Sequence, residues 1–322
     1  MTEQGKIPLP PKGEGKSLFE RAEALFGFES FTLPGVPDGL DEPPAARAAT
    51  KPAVESRPSP SPVPQGEMAL GAAPVNFSGE TQRIDRALLA EQCLLRPEGK
   101  VTALLEEFRI VKRQLLLAAL AARRAGGGHA AQRVLVCSPL PGEGKTFCAT
   151  NLALALAAEK DSEVVLVDAD FAKPSVLSTL GLTGRHGLMD ALADPSIRVE
   201  DCVIPTDVGG LYVLPAGNPT TSDSEYLASA RTPEVLDRLT QGAPNRMVIF
   251  DSPPALAATP AAELAKYVSQ ALVVARADLT GQSALEDALS LLSACPDIKL
   301  LLNAAHFSPS GRRFGTYYGY GE

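Results

Sequence analysis

Lys145 and Thr146 close the run S-P-L-P-G-E-G-K-T over residues 138–146, which follows an apolar β-branched stretch and opens a helical pattern. That context is what a phosphate-cradling loop requires. Gly142 and Gly144 let the backbone approach a phosphate, and the backbone from Pro141 to Phe147, with amides from Gly142 onward and Glu143 among them, can surround it at a helix N-terminus. Lys145 is then placed to reach the β- and γ-phosphates of ATP, and Thr146 to offer its hydroxyl to Mg2+. Two further acidic motifs follow. Asp168 and Asp170 end an apolar run at 164–167 and, two residues apart on an extended chain, share one face. Asp251 ends a second apolar run at 247–250. Carboxylates at strand ends suit magnesium binding by Thr146, Asp168 and Asp251, and base catalysis by Asp168 or Asp170. A strict phosphate loop has Gly at position 139, where this chain has Pro. A similar run, G-E-G-K-S at 13–17, has no strand ahead of it to aim its amides and is discounted.

The elements that must position these groups alternate. Apolar runs at 134–137, 164–167, 211–214, 247–250, 271–275 and 300–302 predict six strands. Helical patterns at 146–159, 222–239, 260–267 and 281–294 lie between most of them. Strand–helix alternation implies an α/β fold with a mainly parallel central sheet flanked by helices, whose ligands bind at the carboxyl ends of the strands. A long helix over 101–122, ending before three glycines, precedes the first strand. Asn303 follows the last strand, where related folds place an adenine contact.

The front of the chain differs in texture. Roughly half of the 28 prolines lie before Val75, so residues 1–80 read as a disordered Pro-rich region, unable to bury enough apolar surface to offset its ordering entropy. The expected division is 1–80 disordered, 81–128 a helical extension, 129–306 a P-loop domain and 307–322 a flexible tail. Within the front, SLFERAEALFGF at 17–28 sets Leu18, Phe19, Ala22, Leu25 and Phe26 on one helical face with Ser17 as cap. That face either packs on its own domain or docks a partner.

A net charge of −8 argues against nucleic acid as a partner. Five scattered cysteines without a C-x-x-C pair fit reduced thiols in a cytoplasm, and no apolar stretch is long enough to span a bilayer. His129, His186 and His306 have no carboxylate or cysteine at ligand spacing and read as bystanders.

The three motifs in this order, from about Ile84 onward, resemble the bacterial tyrosine kinases of polysaccharide export, closest to the autokinases beside exosortase-linked exopolysaccharide loci. The resemblance implies a P-loop NTPase of the MinD/ParA-like class. E-E-F-R-I-V-K-R at 106–113 is similar to the family's oligomerisation helix, usually E-x-x-R-x-x-R, and implies that Glu106, Arg109 and Lys112 build a homo-oligomeric ring; Lys112 stands where a second Arg is usual. L-P-A-G at 214–217 and E-Y-L at 225–227 are similar to segments after the family's third strand. F-A-K-P at 171–174 departs from the usual L-R-R-P, leaving Lys173 as the one base there. Tyr317, Tyr318 and Tyr320 fall in a Gly-rich end where the family carries its autophosphorylation sites. With no span of its own, such a kinase is expected in the cytoplasm, peripheral at the inner face of the membrane through a chain-length-determinant (polysaccharide co-polymerase) partner. The rivals are a positioning ATPase of the MinD/ParA kind, which carries a signature lysine where this chain has Leu140, and an ATP-bound scaffold that has lost transfer.

Overall fold

The computed structural model describes residues 73–305. The amphipathic segment at 17–28, His306 and the tyrosines Tyr317, Tyr318 and Tyr320 lie outside the described residues.

Seven strands form one sheet, ordered β3-β4-β2-β5-β1-β6-β7. They are β1 (Arg133–Cys137), β2 (Glu163–Asp168), β3 (Ile204–Pro205), β4 (Leu211–Leu214), β5 (Arg246–Asp251), β6 (Gln270–Arg276) and β7 (Ile298–Asn303). Every pairing is parallel except β3 with β4. Central strands β1 and β5 are buried throughout, hence their near-continuous apolar runs. The side chains of β1, β2 and β5 alternate between two cores: Leu135, Val165, Val167, Val248 and Phe250 enter one, while Val134, Val164, Leu166 and Ile249 enter the other. Each such fully buried side chain contributes about 1.5–3 kcal/mol of transfer free energy.

The helices are α1 (Arg86–Glu91), α2 (Ala103–Arg124), α3 (Lys145–Ala157), α4 (Val176–Leu180), α5 (Leu188–Ala193), α6 (Val199–Cys202), α7 (Asp223–Leu227), α8 (Arg231–Thr240), α9 (Pro260–Leu264) and α10 (Gln282–Leu291). Helix α3 is buried from Cys148 to Ala157, sandwiched between sheet and α2. Thr102 caps α2, its side chain accepting from the Leu105 amide at 3.2 Å.

The fold departs from the sequence reading in three places. The single helix expected at 222–239 is two, because Pro233 cannot continue a helix whose preceding turn would need its amide. The short elements α1, α4, α5, α6 and β3 carry too few residues to show a period. The boundary at residue 80 is too late: Val75 is buried and exchanges backbone or side-chain hydrogen bonds with Gln241 and Arg246, and Phe77 stacks edge-on against Tyr212 beneath the Arg246 guanidinium. A Pro-rich composition concealed this strap, whose stability comes from tertiary contacts.

Helix α2 also corrects one site expectation. Lys112 does not face outward with Glu106 and Arg109 but lies on the buried stripe of Phe108, Leu115 and Ala119. Its Nζ donates to the carbonyl of Ala155 at 3.0 Å and pairs with Glu159, capping the exposed end of α3. Glu106 and Arg109 pair with each other on the outer face. Lys112→Met is therefore expected to lower the unfolding free energy by about 1–2 kcal/mol, the cost of leaving a buried carbonyl unpaired. Arg109→Glu should leave the denaturation midpoint unmoved. Urea titrations of both variants check this, and a Lys112→Met midpoint equal to the parent's would return Lys112 to a surface role.

Candidate functional site

The site is assembled at the carboxyl ends of β1, β2 and β5. The loop after β1 turns at Gly142 (φ 80°) and Gly144 (φ 93°), both in the left-handed region that a side chain resists. Gly144 ends the turn as N-cap of α3, so the first amides of that helix face the space above the sheet. A built Cβ on Gly144 would collide with the Asn303 side chain, which fixes glycine there a second time.

The loop is braced from beneath. Glu143 is buried, and its carboxylate accepts from the Leu140 amide at 2.7 Å and from the Thr280 hydroxyl. Asn303 Nδ2 donates to the Glu143 carbonyl at 2.8 Å, while its Oδ1 accepts from the Ala304 amide. Arg276 donates to the Gly142 carbonyl at 3.2 Å. Asn303 thus braces the loop, and each end of its amide keeps a second hydrogen-bonding position for the adenine contact expected there. Thr280 and Arg276 escaped the sequence reading, since each meets the loop across more than 130 residues of chain.

The three carboxylates differ. Asp168 and Asp251 are register neighbours across β2 and β5. Asp168 accepts from the amides of Ser175 (2.8 Å), Val176 (2.9 Å) and Asp170 (3.3 Å), and so holds the 170–176 turn and the start of α4. Burial pushes its carboxyl up to about 6 despite those amides. Asp170 takes the Lys145 ammonium at 2.9 Å and the Lys173 amide at 3.2 Å. Asp251 is wholly buried, and neither of its oxygens accepts a hydrogen bond. Burial lifts it to about 7, against the pull of the Lys145 charge and the neighbouring Thr146 hydroxyl.

A buried carboxylate with no partner costs free energy unless a cation satisfies it. Among the described residues no three His, Cys, Asp or Glu side chains converge tightly enough to hold a metal by themselves. The arrangement instead fits a hard divalent ion that takes Thr146 and Asp251 as protein donors, directly or through water, and draws its other oxygens from bound phosphates. Ser175 Oγ lies 3.5 Å from Thr146 Oγ1, at the edge of the same space.

The L-P-A-G segment is held by a residue the sequence reading passed over. Asp190 in α5 accepts from the amides of Gly187 (2.9 Å) and Asn218 (3.1 Å) and from Asn218 Nδ2 (2.6 Å). Gly187 packs directly on the Pro215 carbonyl, leaving no room for a side chain. His186 stands 3.9 Å from Asp190, and His129 shares a hydrogen bond with Thr240.

Known proteins resemble this chain in sequence and fold. Residues 129–274 match the ParA family model, described as NUBPL iron-transfer P-loop NTPase. The chain is 32% identical over 162 residues to tyrosine-protein kinase YwqD of Bacillus subtilis, covering 50% of this chain and 67% of that one. It is 31% identical over 153 residues to tyrosine-protein kinase ptk of Acinetobacter johnsonii, 48% of this chain, but spans 20% of that relative's length. A solved tyrosine kinase domain, BceF, is 26% identical with a TM-score of 0.52, covering 68% of this chain and 82% of that one. The kinase domain of Escherichia coli tyrosine kinase ETK has the same fold, with a TM-score of 0.55 at 22% identity over 73% of this chain and 92% of that one. With a nucleotide-binding P-loop, two acidic strand ends and a relative of which it spans two thirds, the chain belongs to the bacterial tyrosine-protein kinase family of P-loop NTPases.

Proposed function

We propose that this chain is an ATP- and magnesium-dependent protein-tyrosine autokinase that phosphorylates Tyr317, Tyr318 and Tyr320 of a neighbouring copy. The observation that carries the reading is the unpartnered Asp251 carboxylate beside Thr146, with Lys145 held by Asp170 a short distance away. Such a cluster suits phosphoryl transfer, which asks mainly for positioning and charge neutralisation. The names of the relatives point the same way.

Magnesium, held by Thr146 and Asp251, would neutralise charge on the β- and γ-phosphates. Lys145 exchanges Asp170 for phosphate oxygens when nucleotide enters. That exchange frees the Asp170 carboxylate, whereas Asp168 stays committed to three amides, so Asp170 is the better base. The tyrosine oxygen attacks the γ-phosphorus as its proton passes to Asp170, and the bond to the ADP oxygen breaks. Glu106, half-buried, and Arg109, exposed, are the residues of α2 through which copies associate in a ring. Leu140 is exposed where positioning ATPases carry their signature lysine, which disfavours that alternative.

The resemblance to the tyrosine kinases of polysaccharide export leads us to place its role in exopolysaccharide export. Its site of action is the inner face of the cytoplasmic membrane, reached through a membrane-embedded chain-length-determinant protein. Among the described residues no helix is long and apolar enough to cross a membrane.

Intact-mass spectrometry after incubation with ATP and magnesium tests the reading. The native chain should gain up to three phosphates, and a variant with Tyr317, Tyr318 and Tyr320 changed to Phe should gain none. Each phosphate adds about −1.5 to −2 charge. Phosphates retained in full by the triple variant would remove the tail as the target.

A further inference from the structure

The turn after β6 and the end of β7 meet the phosphate loop at three points. Arg276 Nη1 donates to the Gly142 carbonyl at 3.2 Å, the Thr280 hydroxyl donates to the Glu143 carboxylate, and Asn303, the register neighbour of Arg276, donates to the Glu143 carbonyl at 2.8 Å. The turn is itself tightly closed. The Thr280 hydroxyl accepts from the Arg276 amide at 2.7 Å, the amides of Leu279 and Thr280 both donate to the Arg276 carbonyl, and the Ala277 amide donates to the Asn303 carbonyl. Asp278 (φ 61°) and Ala304 (φ 53°) are held in the left-handed region without being glycine. Such strain persists where surrounding contacts over-determine the backbone, and an observed outlier of this kind points to a use.

Peptide planarity says what the use is. Across a trans peptide the carbonyl of one residue and the amide of the next point in opposite directions. With the carbonyls of Gly142 and Glu143 fastened to Arg276 and Asn303, the amides of Glu143 and Gly144 are turned to the other side. Among the described residues neither amide donates to a protein acceptor. Successive amides presented together by a glycine turn make an anion-binding concavity. The Glu143 carboxylate would repel a phosphate if it swung into that concavity. It is instead folded back and buried, one oxygen accepting from the Leu140 amide at 2.7 Å and the other from Thr280.

We propose that Thr280 is a positioning residue for nucleotide: acting through Glu143 and Arg276, its hydroxyl aims the amides of Glu143 and Gly144 at the β-phosphate. The hydroxyl gives its proton to Glu143 and a lone pair to the Arg276 amide, so one small group ties the carboxylate to the turn that holds the carbonyls. This role rests on the loop's binding of nucleotide phosphates and not on transfer to tyrosine.

Titration of the full chain with a fluorescent ATP analogue and magnesium, with ADP and AMP as competitors, tests it. Thr280→Val keeps the branched shape and removes the hydroxyl. It should weaken ATP and ADP by at least about tenfold and AMP by less than about twofold, because AMP has no β-phosphate for the two amides to hold. Thr280→Ser restores the donor and should bring ATP and ADP to within about threefold of the parent. Three results would overturn the proposal: Thr280→Val binding ATP as the parent does, equal losses for ADP and AMP, or Thr280→Ser as weak as Thr280→Val. A parent chain that binds ATP but takes up no phosphate would remove the autokinase reading alone, whereas one that binds no ATP would remove both.

Discussion

Lys145→Met is expected to cut phosphate incorporation by at least about 10²–10³, the scale on which removing one preorganised charge-stabilising group raises a transition-state barrier. The structure makes the lysine's role specific. Its ammonium, 15% exposed, is 2.9 Å from Asp170 and bears electrostatically on Asp251, so it stands between the phosphate loop and the acidic strand ends. Methionine keeps the length and apolar stem of the side chain while deleting the charge. The loop itself should survive, because its shape rests on Gly142, Gly144 and the braces from Thr280, Arg276 and Asn303, none of which touches the lysine head. Nucleotide binding should fall by about tenfold, or about 1.4 kcal/mol, rather than vanish. Fluorescent-nucleotide titration and intact-mass kinetics separate the two effects. Autophosphorylation undiminished in Lys145→Met would remove the kinase reading, whereas loss of both binding and fold would show that the lysine is structural.

What could be read in the sequence followed from spacing along the chain. G-x-G-K-T between a strand and a helix fixes the backbone locally, and a carboxylate just past an apolar run sits at a strand's carboxyl end wherever that strand lies in the sheet. Lys145, Thr146, Asp168, Asp170 and Asp251 are for that reason together in space. Residues whose place depends on another element were misread or missed. Lys112 has the spacing of an outward basic residue, yet the rotation of α2 against α3 turns it to the Ala155 carbonyl. Asn303 was read beside the nucleotide loop, but the brace it gives the Glu143 carbonyl had no local signal. Thr280 in a loop, Arg276 at the end of β6 and Asp190 in a short helix have no local signature, and what they hold is visible only once distant segments meet. Strands β1, β2 and β5 were legible because burial on both faces demands continuous apolar runs, while a two-residue strand such as β3 leaves no pattern.

Asp251→Asn should make the nucleotide-free protein more stable above neutral pH while abolishing magnesium-dependent transfer. The carboxyl is buried, unpartnered and lifted from 3.8 to about 7. Because its folded value lies above its unfolded one, the neutral acid supports the fold fully below about pH 4. That support is lost as pH rises toward and through about 7. Between pH 6 and 8 the native chain should lose on the order of 1 kcal/mol of unfolding free energy from this group. Asp168, raised to about 6, adds a loss of the same sign over a lower range. Asparagine carries no charge to desolvate, so the variant should keep the lower loss and lack most of the upper one. Urea denaturation at pH 5, 6, 7 and 8 measures both. Nucleotide with magnesium should reverse the ranking, since a ligand that binds the folded state stabilises it by mass action and the variant offers the metal a poorer donor. Equal pH slopes in the two proteins would mean that Asp251 is ionised in the folded state as it is in the unfolded chain. The site would then no longer trade stability for a waiting cation, and the magnesium assignment would fall with it.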